Sequence, residues 1–245
     1  MGGSDVVWVT GAGSGMGRAS AVAAATGGRR IALSGRRTEA LEETARQVEE
    51  AGGTALVVPL DVTDADAVTA AHGTVASRWG AVGALVLSAG LNTPHRSWAD
   101  QAIGEFERIV ATNLTAVTAV IQASLADLRE TAGTVVAISS IAAWTFSPNS
   151  GVAYSASKTA VGSLCRNLNA QEWRSGVRAT HLCPGDVDTE FLALRPEAPD
   201  AAARERMLRP EDVGRAVAFV LDAPPHVRID ELVITPTGFG QHRPA

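Results

Sequence analysis

A glycine-rich turn near the N-terminus restricts the fold of this chain more than any other feature. It follows a short β-branched run at residues 5–10 and precedes an alanine-rich stretch that ends near Thr26. Gly11, Gly15 and Gly17 permit a sharp exit from a strand, leave no Cβ where a phosphate group approaches, and let a helix pack closely on the strand. Free N–H groups at the start of that helix attract an anion. The order strand, glycine turn, helix predicts the first unit of an α/β fold, with a plain loop as the alternative.

Short apolar runs and amphipathic segments then alternate along the rest of the chain. Thr38 is predicted to be the N-cap of the second helix, and Gly52 and Gly53 to end it. Strands that alternate with helices favour a parallel sheet covered by helices on both faces. We find no repeat or linker, so one domain over residues 1–245 is expected. The predicted strands are residues 30–35, 55–60, 82–88, 134–139, 177–183 and 229–234, and the predicted helices are 38–51, 64–78, 105–128, one that holds Tyr154 and ends near Arg174, and 210–221.

The length and charge of the chain argue against several classes of protein. A chain of 245 residues is long enough for one large α/β domain with a substantial core. The net charge of -5 offers no basic stripe for nucleic acid, and no apolar run approaches the roughly 18 residues of a membrane span. We therefore expect a soluble, cytoplasmic protein. Cys165 and Cys183 match no metal-binding spacing, which predicts reduced core thiols and no metal site, with a catalytic thiol as the alternative.

Tyr154 and Lys158 are the only tyrosine and the only lysine of the chain. On a helix, a spacing of four residues places both side chains on one face, about 5 to 6 Å apart at Cβ. A fixed cation near a phenol favours the phenolate, which suits the hydroxyl to proton exchange nearer neutral pH. Ser140 follows a predicted strand and can reach the same carboxyl edge of the sheet, where open α/β sheets bind ligands. These residues predict a catalytic site; a half-buried tyrosine beside a solvated lysine is the alternative.

The end of the second predicted strand carries two arginines and no acid. In a nicotinamide-binding fold, an acid at this place binds the ribose 2'-hydroxyl, whereas a nearby arginine accommodates a 2'-phosphate. The sequence here is Ser34, Gly35, Arg36 and Arg37. This favours NADP(H) over NAD(H) as the cofactor, and a pair of solvated arginines in a loop is the alternative.

Small and polar residues follow two other predicted strands. Asp61 and Val62 end the third strand, where the carboxylate can accept a hydrogen bond from an adenine amino group or cap the next turn. Ser88, Ala89 and Gly90 follow the fourth strand and form a corner of small residues against which a cofactor can lie flat.

Three other positions attract attention without a strong pattern around them. Asn113 lies inside a predicted helix although asparagine is a mediocre helix former. Its side chain is therefore expected to bond a distorted backbone or to hold a water molecule. Residues 188–207 are rich in alanine, proline and charge and have no single periodicity, which favours a mobile flap over a core element. His95 lies in a predicted loop, where a solvated histidine is favoured over one that faces a substrate.

Taken together, these residues resemble the short-chain dehydrogenase/reductase family over essentially the whole chain. The resemblance implies a Rossmann-type doubly wound sheet of seven mostly parallel strands in the order 3-2-1-4-5-6-7, with helices on both faces. Six motifs fall in the family's order and at its spacings. They are Thr10-Gly11-x-x-x-Gly15-x-Gly17, Asp61, Asn113, Ser140, Tyr154-x-x-x-Lys158 and Pro184-Gly185-x-Val187-x-Thr189.

The resemblance also implies a role for each catalytic residue. Tyr154 would exchange a proton with the substrate oxygen, and Ser140 would hydrogen-bond that oxygen. Lys158 would lower the pKa of Tyr154 and hold the nicotinamide ribose, and Asn113 would hold a water molecule that links Lys158 to solvent. Preoriented donors at the carbonyl oxygen stabilise the charge that grows there during hydride transfer.

The resemblance places the cofactor along the carboxyl edge of the sheet, with Val187 and Thr189 at the nicotinamide carboxamide. Two departures from the family pattern stand out. Leu87 and Ser88 replace a usual pair of asparagines, which affects a contact that stabilises the sheet more than the chemistry. Ser14 replaces a frequent basic residue, so phosphate binding would depend on Arg36 and Arg37. The full set of predicted cofactor-binding residues is Gly11, Ser14, Gly15, Met16, Gly17, Arg36, Arg37, Asp61, Val62, Ser88, Ala89, Gly90, Tyr154, Lys158, Pro184, Gly185, Val187 and Thr189.

The sequence thus predicts an NADP(H)-dependent alcohol dehydrogenase or carbonyl reductase that acts on a small molecule. Residues 224–236 resemble the C-terminus of a subgroup that acts on small 3-hydroxy acids, serine and related alcohols. The alternatives are an NAD(H)-dependent dehydrogenase of the same family, an epimerase or dehydratase, a nucleotide sensor without catalysis, and a scaffold. An epimerase usually needs a larger C-terminal domain, a sensor would be expected to have lost one of the catalytic residues, and a scaffold needs no glycine turn.

The resemblance also suggests a homotetramer or a homodimer. Such an assembly would be built on the helices that start near Glu105 and Tyr154, with small and apolar positions packed across two-fold axes. The positions predicted to lie in this interface are Ala116, Ala119, Val161 and Leu164; packing inside one subunit is the alternative.

Overall fold

In a computed structural model, which describes residues 4–239, the chain forms one seven-stranded sheet. The strand order is 3-2-1-4-5-6-7 and every neighbouring pair is parallel, which confirms the predicted Rossmann-type architecture. The strands are β1 Val6–Thr10, β2 Arg30–Ser34, β3 Thr54–Val57, β4 Ala84–Leu87, β5 Thr134–Ile138, β6 Arg178–Pro184 and β7 Glu231–Ile234.

Helices connect the strands and cover both faces of the sheet. Two short 3-10 segments, Trp173–Ser175 and Glu190–Leu194, and a π-helical turn, Ala111–Thr115, accompany them. The α-helices are α1 Gly15–Ala25, α2 Thr38–Glu50, α3 Ala65–Trp79, α4 Ile103–Val110, α5 Ala116–Thr131, α6 Ile141–Trp144, α7 Val152–Glu172, α8 Ala201–Glu205 and α9 Pro210–Leu221.

The central strands are buried on both faces, because a parallel sheet with helices on each side has no solvated face. All five residues of β1 and of β5 are buried. One apolar layer lies between the sheet and helices α3, α5 and α7, and the other between the sheet and helices α1, α2 and α9. Trp8 is fully buried and still satisfies its indole N–H, which donates to Ser34 Oγ at 2.9 Å.

The structure corrects several predicted boundaries. The predicted strands at 55–60, 82–88 and 229–234 are shorter in the structure, where they span Thr54–Val57, Ala84–Leu87 and Glu231–Ile234. Thr38 is the first residue of α2 rather than its N-cap; Arg37 holds the N-cap position and makes no capping bond with its side chain. Asp64 does cap α3, since its carboxylate accepts from the N–H groups of Asp66 and Ala67.

The predicted helix at 105–128 is a longer rod, Ile103–Thr131, with a π-helical turn in its middle. By length and composition this helix is apolar enough to cross a membrane, contrary to the prediction that no apolar run approaches that length. Its inner residues Val120, Ile121 and Leu128 pack in the core against the sheet. Core helices pass the same test of length and composition, so this helix is weak support for a membrane span.

Two of the four proposed interface positions are buried inside the subunit. Ala116 and Val161 are buried in the core of the subunit itself, and Ala119 and Leu164 are partly buried against that core. The prediction was wrong for Ala116 and Val161, because their side chains face the core of the subunit; for Ala119 and Leu164, which are partly exposed, it stays a prediction. Ile103 on α4 is the large apolar residue of these helices that does lie exposed, with 73% of its surface accessible.

Cys165 and Cys183 are both buried, free thiols, as predicted. Burial raises the pKa of each to about 12. Both therefore stay protonated at neutral pH, which argues against the alternative of a catalytic thiolate.

Candidate active site

The glycine turn after β1 has a backbone that only glycine fits. Gly11 has a φ of 67°, and a Cβ there would lie 2.7 Å from the backbone nitrogen of Ala89. A Cβ on Gly17 would lie 2.1 Å from the carbonyl oxygen of Gly11. The first turn of α1 therefore packs directly on the end of β1 and on the corner after β4, as the sequence predicts for a helix that approaches a phosphate group.

The start of α1 is available to an anion. Ser14 occupies the N-cap position but makes no capping hydrogen bond with its side chain, and no acidic residue lies in the first turn. The N–H groups that a capping side chain would otherwise satisfy can then bind a pyrophosphate. Met16, in this turn, lines a cavity that Tyr154 also lines. These observations fit a dinucleotide at the predicted place.

The two arginines after β2 are exposed, as both the cofactor hypothesis and its alternative require. Arg37 lies 3.7 Å from Glu190, which belongs to the predicted flap. Arg36 acts on Asp61, whose pKa is lowered mainly by a hydrogen bond from the N–H of Thr63 and also by this nearby charge. Arg36 and Arg37 are thus close to the sheet edge where the cofactor is expected, and neither is held in a strong ion pair.

Asp61 forms a turn rather than an open acceptor. Its Oδ1 accepts from Thr63 N at 3.0 Å and from Thr63 Oγ1 at 2.7 Å. Two roles were predicted for Asp61, and these bonds agree with the capping of the next turn. Val62, beside it, is buried in a small apolar cleft that also touches Ala89.

Asn113 lies inside the π-helical turn and is fully buried. Its Oδ1 accepts from Leu91 N at 2.7 Å, and its Nδ2 donates to Leu91 O at 2.9 Å and to Ser157 Oγ at 3.2 Å. The extra residue of the π turn projects the amide toward the loop after β4. The side chain therefore bonds a neighbouring backbone, and through Ser157 it also touches the helix that carries Tyr154.

Lys158 is buried close to Asn113 and to the corner after β4. A Cβ built on Gly90 would lie 3.6 Å from Lys158 Nζ and 3.7 Å from Asn113 Oδ1, so the corner brings the backbone close to both groups. Lys158 Nζ donates to Ile138 O at 3.0 Å and lies 5.8 Å from the centre of the Tyr154 ring. Burial lowers the pKa of Lys158 to about 8, because a charged ammonium loses its hydration there.

Tyr154 and Ser140 meet at the other side of this cluster. Ser140 caps the short helix α6, and its side chain hydrogen-bonds with Tyr154. Burial raises the pKa of Tyr154; the bond with Ser140 and the charges of Arg195 and Arg96 offset part of this, while Asp186 adds to it. The pKa of Tyr154 is thus raised overall. The family resemblance implies that Lys158 lowers this pKa, and in the structure Lys158 Nζ donates to Ile138 O and makes no hydrogen bond with Tyr154.

A cavity of about 650 Å³ joins these parts of the site. Its walls come from the carboxyl ends of β5 and β6, the start of α1, the loop after β4 and residues 189–197. Ser140, Tyr154 and Met16 all face it, so the two catalytic hydroxyl groups and the glycine turn open onto one space, whereas Lys158 and Asn113 are buried and do not line it. The residues predicted after β6 that line it are Pro184, Gly185, Val187 and Thr189.

The predicted flap at 188–207 contains two short helical segments, Glu190–Leu194 and α8. Phe191 lies with its ring 6.0 Å from that of Tyr154, and Arg195 pairs with Asp186. Thr189 approaches the glycine turn, since a Cβ on Gly15 would lie 3.2 Å from its Cγ2. This segment therefore covers the cavity from the side of β6; its mobility stays a prediction.

Comparison with known proteins agrees with this geometry. The family model described as short chain dehydrogenase matches residues 5–200. The chain belongs to the short chain dehydrogenase family. A sulfoacetaldehyde reductase from Chromohalobacter salexigens is 34% identical to this dehydrogenase, over 96% of this chain and 94% of the relative.

Solved structures with the same fold contain nicotinamide cofactors. An alcohol dehydrogenase from the archaeon Thermococcus sibiricus, complexed with 5-hydroxy-NADP, superposes with a TM-score of 0.86 at 30% identity and 98% coverage of both chains. A 3-ketoacyl-(acyl-carrier-protein) reductase from Brucella melitensis, complexed with NADH, has a TM-score of 0.86 at 25% identity, covering 95% of this chain and 97% of the other. This dehydrogenase is therefore an oxidoreductase of alcohol and carbonyl substrates, and the likeness supports a nicotinamide cofactor.

Sequence reasoning missed two features of this short chain dehydrogenase. Arg96, between β4 and α4, is buried and faces the cavity, but an arginine in a polar loop gives no signal of burial. His181, Cys183 and Glu231 come from β6 and β7, and one possible ligand atom of each lies within 4.8 Å of the others. Their spacing in the sequence matches no metal-binding motif. They lie close together because β6 pairs with β7. His95, by contrast, is exposed, as predicted.

Proposed function

We propose that this protein is an NADP(H)-dependent dehydrogenase that interconverts a small carbonyl compound and its alcohol, with Tyr154 as the general acid and base. The observation that carries the proposal is the cavity that Tyr154 and Ser140 line together with Met16 of the glycine turn, with Lys158 buried beside Tyr154. A nucleotide sensor without catalysis would not need this cluster, since a buried lysine is costly.

The raised pKa of Tyr154 suits the direction of reduction. A hydroxyl with a raised pKa stays protonated at neutral pH, which is the form that donates a proton to a carbonyl oxygen. Ser140 hydrogen-bonds the same oxygen and stabilises the charge that develops on it. When bound, the nicotinamide cofactor supplies the hydride for reduction and accepts it in oxidation.

Lys158 and Asn113 are buried next to Tyr154 and would assist its proton exchange. With a pKa of about 8, Lys158 is close enough to neutral pH to share a proton with its surroundings during turnover. Its ammonium would also bind the ribose of the cofactor. Asn113 fixes the loop after β4 through two bonds to Leu91. We propose that it also keeps the path from Lys158 to solvent in place.

Tyr154→Phe tests the catalytic role. It removes the hydroxyl and leaves the glycine turn unchanged, so NADPH should bind with a Kd within about threefold of the native value while kcat falls by about 10² to 10⁴-fold. Kcat is measured with a panel of small aldehydes and ketones, and Kd by NADPH fluorescence. Retention of more than a few per cent of kcat would refute the assignment.

A matched pair of serine variants controls for changes in the cavity. Ser140→Ala removes the hydroxyl that bonds Tyr154, and Ser150→Ala removes another hydroxyl of the same cavity, which bonds Ser147 instead. We expect Ser140→Ala to reduce kcat by about 10² or more, as the loss of an oxyanion donor does. Ser150→Ala should stay within a few-fold of the native enzyme.

We propose NADP(H) as the preferred cofactor, by at least about tenfold in kcat/KM, which is about 1.4 kcal/mol. The exposed guanidiniums of Arg36 and Arg37 support this, since charge-assisted hydrogen bonds to a 2'-phosphate supply that much. Gly35→Asp combined with Arg36→Ala should reverse the preference, because the new carboxylate repels the phosphate. Arg46→Ala, an exposed arginine of α2, is the control. Equal kcat/KM values for both cofactors in the native protein would mean that the arginines are only solvated.

We further propose that the protein is cytoplasmic and forms a homodimer or homotetramer; the family resemblance supports the assembly. One subunit has a mass of 25.3 kDa, so sedimentation equilibrium at micromolar concentration should give about two or four times that value. A monomeric mass would rule the assembly out.

A further inference from the structure

Arg96 is a buried cation that the proposed reaction leaves unexplained. It is 8% exposed, and no carboxylate lies within salt-bridge distance of it among residues 4–239. Its guanidinium donates to three backbone carbonyls: Nε to Thr93 O at 2.7 Å, NH1 to Asn149 O at 3.2 Å, and NH2 to Leu194 O. Carbonyl dipoles compensate a buried charge only in part, so its burial without a counter-ion is costly.

The other charged groups of the cavity do not supply this counter-ion. Asp186 pairs with Arg195, and Asp100 accepts from the N–H and the hydroxyl of Ser97. Glu197 is exposed to water. Among the described residues that line the cavity, Arg96 is thus the buried charged side chain that has no partner of opposite charge.

Arg96 is placed to act together with the catalytic tyrosine. Both side chains line the same cavity, and the positive charges of Arg96 and Arg195 both lower the pKa of Tyr154. A guanidinium has five N–H groups, and the three bonds to backbone carbonyls leave two of them for a ligand. An acidic oxygen would satisfy these donors and neutralise the charge at the same time.

We propose that Arg96 binds the acidic group of the substrate, which is a small carbonyl compound that carries a carboxylate or a sulfonate. The inference rests on the proposed function, since the carbonyl oxygen would lie at Tyr154 and Ser140 while the acid lies at Arg96. Guanidinium groups bind such oxyanions through paired, charge-assisted hydrogen bonds. The bond from Arg96 to Leu194 O also ties residues 190–195 to this site, so the bound anion strengthens a contact that covers the cavity.

The alternative is a purely structural role, in which Arg96 only holds together the three segments whose carbonyl groups it binds. The test therefore compares substrates of similar size with and without charge: 4-oxobutanoate as the carboxylate, 2-oxoethanesulfonate as the sulfonate, and butanal as the neutral aldehyde. We expect kcat/KM to be higher by about tenfold or more for at least one anion than for butanal, as one charge-assisted contact supplies. The anion with the higher value identifies the acidic group.

Variants of Arg96 then separate binding from clamping. Arg96→Gln should lower kcat/KM for the preferred anion by about tenfold to a hundredfold, mainly through KM, and change that for butanal by less than about threefold. Arg96→Lys keeps the charge without the fork of donors, so it should retain part of the preference for the anion. Arg206→Gln, an exposed arginine in the same flap segment, should change neither substrate.

Equal losses on charged and neutral aldehydes in both Arg96 variants would overturn the proposal in favour of the clamp, as would a native preference for butanal. If no aldehyde is reduced at all, the proposed function fails by itself, and binding decides the inference. Calorimetric titration with 3-hydroxypropionate and ethanesulfonate, in the presence of NADP⁺, should then give binding to the native protein and a loss of at least tenfold in Arg96→Gln. Binding that is unchanged in Arg96→Gln, or undetectable in the native protein, would reject Arg96 as an anion site.

Discussion

Replacement of Lys158 by methionine should stabilise the protein at pH 7 while abolishing its activity. Methionine matches the length of the side chain and carries no charge. Burial lowers the pKa of Lys158 to about 8, whereas an unfolded chain gives lysine a pKa near 10.4. At 1.36 kcal/mol per pKa unit, the ammonium destabilises the folded state at neutral pH by about 3 kcal/mol.

One term opposes this gain. Lys158 Nζ donates to Ile138 O, and the variant leaves that buried carbonyl unpaired, which costs about 1 to 3 kcal/mol. The net change at pH 7 is therefore small to moderate and does not by itself test the reasoning. The dependence on pH does, because the lost hydrogen bond does not titrate.

The sign follows from the lowered pKa. The unfolded state binds more protons at this lysine than the folded state between pH 8 and pH 10.4, so the native protein gains stability as the pH rises through this range. The destabilising contribution is fully present below pH 8 and is lost above pH 10.4. The stability of Lys158→Met relative to the native protein should thus fall by about 2 to 3 kcal/mol between pH 7 and pH 10.

Urea unfolding of both proteins at pH 7 and pH 10, at one fixed protein concentration, measures this difference. The chain suits the experiment because Lys158 is its only lysine. Burial raises the pKa of Cys165 and of Cys183 to about 12, so both thiols stay protonated in the folded protein at pH 10, although the charge of Lys158 acts on Cys183. Arg206→Met, which removes an exposed cation, is the control and should show no such change. A stability difference that stays constant from pH 7 to pH 10 would show that Lys158 is hydrated in the folded protein.

Three further substitutions test the packing of the backbone: two lie at the site, and Gly73→Ala in α3 is a control. Gly17→Ala should weaken NADPH binding at least tenfold and lower the Tm, because its Cβ would lie 2.1 Å from Gly11 O. Gly73→Ala, where nothing lies within 4 Å of the new Cβ, should raise stability by about 0.5 to 1 kcal/mol. Fluorescence titration measures the binding and thermal unfolding the Tm; equal effects of the two substitutions would contradict the close packing at Gly17. Asn113→Ala should destabilise the protein by about 1 to 3 kcal/mol in urea, since it leaves both backbone groups of Leu91 unpaired, and no loss would mean that water replaces the amide.

The sequence by itself determined the strands of the sheet and the helices between them. Local patterns carry this information, because a strand buried on both faces is apolar along its whole length and the turns between elements need glycine, proline or capping residues. The family resemblance then supplied the strand order and brought Ser140, Tyr154 and Lys158 to one edge. The chain has one tyrosine and one lysine, so their occurrence four residues apart is rare enough by chance to indicate a catalytic pair from the sequence alone.

The tertiary structure decided what depends on distance and burial. The π turn at Asn113, the direction of Lys158 Nζ and the raised pKa of Tyr154 follow from packing between elements far apart in sequence. The same is true of Arg96, whose burial results from three loops that close around it. A side chain's position in sequence gives no measure of its desolvation, and desolvation sets the charge state that the chemistry of this site depends on.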